Sequence, residues 1–268
     1  MTADEGVHNP RDFDTSVAHN ARVWNYWLGG KDHFQADRDA GDRVYNMFPR
    51  IVDVARADRA FLARAVQFQV DQGLRQFLDV GTGLPTADNT HEVAQRLVPE
   101  ARVVYVDNDP LVLTHARALL TSTAPGVTSY IDADVRRPAR IIDEAARTLD
   151  LTQPAGVMML GILNFILDDA EAATVVNHLM EAVPSGSYVV VSHPTTELGG
   201  EANAQAMKFW NEHATPPITA RARDRIVRFF DGLELIEPGV VPVAQWRPDA
   251  GLRHAPEVAL YAGMARKP

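Results

Sequence analysis

The chain has 268 residues, 46% of them apolar and 23% charged, enough to bury the core of one large domain or of one domain with an added cap. A formal net charge of −9 argues against broad binding to a nucleic-acid backbone; the absence of cysteine excludes disulfides and thiolate metal sites and fits a reducing compartment. No apolar run reaches the roughly 18 residues of a membrane span, and residues 1–11 hold no apolar segment of a secretory leader, so a cytoplasmic protein is expected.

In chain order, Thr15 or Ser16 can cap a first helix that runs to about Leu28 and is stopped by Gly29-Gly30. Residues 37–47 fit a second, short helix. Residues 51–72 fit a longer one, where Val54, Phe61, Ala65 and Phe68 recur near the helical period. Residues 1–74 therefore read as a helical cap or lid. From Arg75 short apolar strands (76–80, 102–106, 128–131, 155–160, 187–192) alternate with helices (90–97, 111–120, 139–148, 171–183). Such alternation, with runs such as Val189-Val190-Val191, predicts a mostly parallel sheet covered on both faces over residues 75–268. After helix-like stretches at 202–213 and 220–230, strands at 233–236 and 258–266 have no helix between them. That pair places one antiparallel strand in the parallel sheet. The run Arg221, Arg223, Arg225, Arg228 is interrupted by acids and reads as a solvated helix face rather than a polyanion site.

The strand at 76–80 ends in Asp79-Val80-Gly81-Thr82-Gly83, a turn whose bare backbone a nucleotide-bearing ligand can approach. A dinucleotide fingerprint needs a small residue three positions after Gly83 and a helix opening at once. Thr86 stands there, and the helix starts only near Asn89, so a cofactor without phosphates fits better. S-adenosyl-L-methionine is such a cofactor. Asp79 can attract its ammonium, Gly81 and Gly83 admit its tail and ribose, and Asp107 at the next strand end can accept from both ribose hydroxyls. Asp134 after the third strand can accept from the adenine amino group, and the Val135 N–H can donate to a ring nitrogen. Three acids at successive strand ends lie along the carboxyl edge, where open α/β sheets bind ligands.

On these residues the chain resembles the class I S-adenosylmethionine-dependent methyltransferases: 79–83 their first motif, Val104-Tyr105-Val106-Asp107 their second, Ala133-Asp134-Val135 their third. It is most similar to an actinobacterial methyltransferase-like family long catalogued as a domain of unknown function. The blocks that carry this are 22–34, 76–86, Val104 to Pro110 with Asn108 beside the ribose acid, and Glu237-Pro238-Gly239. The resemblance implies a Rossmann-like, seven-stranded sheet with one antiparallel strand, helices on both faces, and this cofactor, with Thr82 and Asn108 among its contacts. It supplies no acceptor.

Trp24, Tyr26 and Trp27 beside Gly29-Gly30 read either as aromatics packed on the sheet or as a lid. In the lid reading Tyr26 faces the sulfonium, and Arg22 or the Gly30 backbone engages the tail carboxylate. His193 and His33 are candidate bases, each equally readable as structural, and no catalytic residue is assigned. Asn164, after the fourth strand, lies where this class presents polar groups towards the transferred methyl. Metal is not expected, since the histidines lack ligand spacing. The expected function is methyl transfer to a small-molecule acceptor, without nucleic-acid or membrane partners and with room for a homo-oligomer. The alternatives are a cofactor-binding sensor that has lost transfer activity and, less well matched, a nicotinamide oxidoreductase.

Overall fold

Helices come first, then strands and helices alternate. A computed structural model describes residues 14–119, 122–248 and 257–268; residues 1–13 of the expected cap and Leu120 lie outside them. A two-residue strand β1 (Ala18–His19) leads into α1 (Asn20–Trp27), α2 (Gln35–Met47) and α3 (Ile51–Asp71). The alternating part runs β2 (Gln76–Val80), α4 (Thr90–Leu97), β3 (Arg102–Asp107), α5 (Pro110–Leu119), β4 (Val127–Asp132), α6 (Pro138–Ala145), β5 (Gly156–Leu160), a 3-10 turn (Leu163–Phe165), α7 (Asp169–Glu181) and β6 (Tyr188–Pro194). Then follow α8 (Gly200–His213), β7 (Ala214–Thr215), α9 (Arg223–Val227) with a 3-10 turn (Arg228–Phe230), β8 (Glu234–Leu235), β9 (Val241–Pro242) and β10 (Leu260–Arg266).

The first helix begins later than its capping residues predict. Asp14 accepts from the Ser16 backbone and hydroxyl at 2.8 and 2.6 Å, which closes a local turn. The chain then stays extended to pair β1 in parallel with β7. Asp37 anchors the start of α1 to that of α2: it accepts from the backbones of His19 and Phe34 and from Arg22 Nε at 3.0 Å. Arg22 is thereby committed to a buried ion pair and does not line the cleft described below.

The main sheet has the order β4-β3-β2-β5-β6-β10-β8. Strands β2 to β6 run parallel, and β10 is antiparallel to both β6 and β8, as the late strand pair predicts. Two-residue β9 also pairs with β10. Strand alternation divides the core between the two faces. Phe77, Val103, Tyr105, Met158 and Val190 pack with Val54, Phe61 and Ala65 of α3. Leu78, Val104, Val157, Met159 and Val191 face the side of α6 and α7. Because β3 and β4 lie to one side of β2 and β5 to the other, a crevice opens beyond the carboxyl ends at the β2–β5 reversal.

Candidate cofactor and acceptor cleft

That crevice is a cavity of about 280 Å³, walled by the strand ends below and by α1, α2, α3 and α8 above. At its floor, Gly81 and Gly83 have φ of +82° and +66°, a backbone region that glycine enters without strain. A Cβ on Gly81 would stand 2.6 Å from the Ile162 side chain, whereas one on Gly83 would meet nothing. The turn hooks onto the next strand: Gly81 N–H donates to Val106 O at 2.8 Å, and Gly83 N–H to Asp107 Oδ2 at 2.9 Å. Asn89 starts α4 by exchanging bonds with Glu92, well past the glycines, so no helix N-terminus presses on Gly83.

Gly81, Gly83, Asp107, Asn108, Asp134, Val135 and Asn164 all line the cleft. Burial pushes the Asp107 carboxyl up, against the pull of the Asp109, Gly83 and Asn108 N–H groups. Asp134 accepts from Arg136 N–H at 2.8 Å; the Arg136 guanidinium reaches Asp134 and Glu171 at 3.4 Å each and donates to Phe165 O. Arg136 thus ties the loop after β4 to the turn after β5. Asn164 is 5% exposed and its Oδ1 has no partner among the described residues, an unspent acceptor at the cleft.

Asp79, Thr82, Tyr26 and Gly30 do not line it. Asp79 lies one layer below, accepting from Thr90 Oγ1 at 2.6 Å, and burial raises it to about 6. Thr82 Oγ1 turns back onto Asp79 O and Val106 O. Tyr26 corrects the lid reading: its hydroxyl donates to Asp42 at 2.7 Å and its ring meets His33. Asn20, Trp24 and Trp27 form the cleft-facing stripe of α1, and Tyr26 falls on the other face of that helix. Gly30 instead makes room for Asn25, whose side-chain amide a Cβ there would overlap. Trp24→Ala should weaken cofactor binding at least fivefold while Tyr26→Phe leaves it within twofold, by calorimetric titration; equal losses would restore the lid role of Tyr26.

Neither candidate base faces the cleft. His33 pairs with Arg38 at 3.1 Å. Fully buried His193 makes contacts through Nδ1 to Pro194 O and through Nε2 to Arg221 Nη1 at 2.9 and 2.7 Å. Burial above all, with the Arg221 charge, brings it down to about 3. An unfolded chain takes a proton on this residue below about 6.5 and the native protein refuses it until about 3, so its contribution to stability falls as pH drops through that window. Arg221 is equally buried and corrects the reading of a solvated basic face. Besides His193 it reaches Asp169 at 2.7 Å, Leu163 O at 3.0 Å and Ile166 O at 2.6 Å. Trp24, from the aromatic block, lines the cleft, and so do His19, Arg136 and Trp210, which carry no local sequence signal that marks them as ligand-facing. Among the described residues no group of three side chains could hold a metal.

These residues fit an adenosine-bearing sulfonium: a cradle without side chains, carboxylates on two strand ends, and an unspent acceptor beyond. A Rossmann-like sheet with one reversed strand, joined to such a floor and no pyrophosphate site, defines an S-adenosylmethionine-dependent methyltransferase. Residues 7–268 match the family described as S-adenosyl methyltransferase, and the chain belongs to it. A DUF574 family protein from Streptomyces avermitilis is 44% identical with a TM-score of 0.90, over 95% of this chain and 99% of that one. A methyltransferase candidate from Thermobifida fusca is 39% identical with a TM-score of 0.87, over 98% and 99% of the two chains. The plantazolicin methyltransferase BpumL, solved with S-adenosylhomocysteine, shares the fold at 11% identity and a TM-score of 0.50, over 92% of this chain and 95% of its own. Curated proteins give no match. No helix among the described residues is long and apolar enough to cross a membrane.

Proposed function

We propose that the chain methylates a small-molecule acceptor held between the strand ends and the N-terminal helices. The observation that carries this reading is a continuous cleft that runs from Gly81, Asp107 and Asp134 to Trp24, Phe48 and Trp210. Bound S-adenosylmethionine supplies a methyl group already activated by a positive sulfur. The chain's own tasks are then to position the acceptor and to keep water out. Asp107 takes the ribose hydroxyls, with Asn108 beside it. Asp134 and Val135 take the adenine edge, Gly81 and Gly83 admit the backbone-facing tail, and Asp79 attracts its ammonium from beneath the turn. Asn164 Oδ1 is left for a donor on the ligand side. Tryptophan and phenylalanine walls exclude water. A cytoplasmic site of action accords with the cysteine-free sequence.

S-adenosylmethionine should raise the melting temperature and NAD should not; a ligand at a hundredfold its dissociation constant adds about 2.7 kcal/mol. Asp79 sets the pH dependence. At about 6 it is ionised at pH 7 and mostly protonated at pH 5, so its attraction for a cation fades over that interval. Cofactor affinity should fall about tenfold from pH 7 to 5, as the ionised fraction does, and Asp79→Asn should flatten the profile. A flat wild-type profile would take Asp79 out of binding.

A further inference from the structure

The charges on the cleft wall are unevenly placed. Asp107, Asp134 and Arg136 sit at strand ends, and His19 at the start of α1 is paired with Asp109 at 3.0 Å. The single formal cation, Arg136, is spent on Asp134, Glu171 and Phe165 O. The part of the wall supplied by the helices is of a different kind: apart from the uncharged amides of Asn20, Asn25 and Asn203, Trp24, Trp27, Phe48, Ile51, Met207 and Trp210 face the cavity, with no charged side chain from α2, α3 or α8. Even the indole N–H groups of Trp27 and Trp210 are spent, on Gly41 O at 3.3 Å and Pro216 O at 3.1 Å, so these rings offer the cavity carbon surface. Trp24 and Trp27 meet edge to face at 5.9 Å, a geometry that holds both rings in fixed orientation.

From this wall we infer that the methyl acceptor is a neutral, flat aromatic compound; the inference rests on the methyltransferase reading and specifies its substrate class. A carboxylate or ammonium entering the helical half would lose its hydration and find no opposite charge there, which is costly. A flat ring gains apolar burial and ring-edge contacts against three indoles and a phenyl group. The helical wall therefore selects the acceptor on charge and shape, while the strand ends, with Trp24 above them, hold the cofactor.

The test uses the full chain saturated with S-adenosylhomocysteine, whose own binding is first measured by calorimetry. 1-Naphthol, 1-naphthoate and 1-naphthylmethylammonium are then titrated; they share the ring system and differ in charge. 1-Naphthol should bind at least tenfold more tightly than either ion, and Met207→Asp, on the half-buried face of α8, should weaken it tenfold with S-adenosylhomocysteine affinity unchanged. Tighter binding of either ion, or no preference among the three while S-adenosylhomocysteine still binds, overturns the inference and leaves the methyltransferase reading standing. Failure of S-adenosylhomocysteine itself to bind would remove that reading and the inference with it.

Discussion

Gly81→Ala should abolish measurable S-adenosylmethionine binding, a loss of at least a hundredfold, and should cost the ligand-free protein about 2–5 kcal/mol. Two effects add at this position. An L-residue at φ +82° pays roughly 1–2 kcal/mol for the left-handed backbone. The new methyl group would lie 2.6 Å from Ile162, and overpacking of that kind costs about 1–3 kcal/mol more. Relief comes through movement of the turn or of Ile162, and both shape the cleft floor. Gly232→Ala separates the effects, because Gly232 has φ +79° with open space around its Cβ position and lies away from the cleft. It should show the backbone cost alone and bind the cofactor normally. Normal cofactor affinity in the Gly81 variant would mean that this turn is not the cofactor cradle.

Arg221→Met should destabilise the protein by about 3–5 kcal/mol in urea unfolding, the range for removing one member of a buried charged network. Methionine fills most of the space but leaves the Ile166 carbonyl and His193 Nε2 without their donor, while the Leu163 carbonyl keeps only the Ile166 N–H. Each buried acceptor stranded in this way costs about 1–3 kcal/mol. Asp169 is not stranded, because Arg225 still holds it at 2.6 Å. The guanidinium fastens the 163–166 turn that carries Asn164, so cofactor-induced stabilisation should shrink in the same variant. A loss below about 1 kcal/mol would show that the network adds little to the fold.

These two positions differ in how visible they are before folding. The Gly81 turn is local: an apolar strand, two glycines and a delayed helix start lie within about a dozen residues, and steric rules act at that range. The sheet is legible for a similar reason, since each strand and helix announces its own period and the late strand pair announces the reversal. Arg221 has the opposite character. Its partners lie 28, 52, 55 and 58 residues away in the chain. Nothing next to Arg221 distinguishes it from the partly exposed Arg225, so the run reads locally as a solvated face.

The aromatic block on α1 shows the same boundary. The block is conspicuous as composition, but which ring faces a ligand depends on the helix's rotation about its axis. That rotation is set by the buried Arg22–Asp37 pair and by the pairing of β1 with β7. Here Trp24 is turned inward and Tyr26 outward towards Asp42. Strand–helix alternation, the reversed strand and a cradle without a pyrophosphate site were legible in the chain, because they rest on short-range patterns of backbone freedom and apolar periodicity, and its motif blocks carried the resemblance that implied the family. Which histidine is neutral and sealed, which arginine is buried and which rings wall the cleft emerge only on folding. Those outcomes depend on desolvation and on partners brought together from distant parts of the chain.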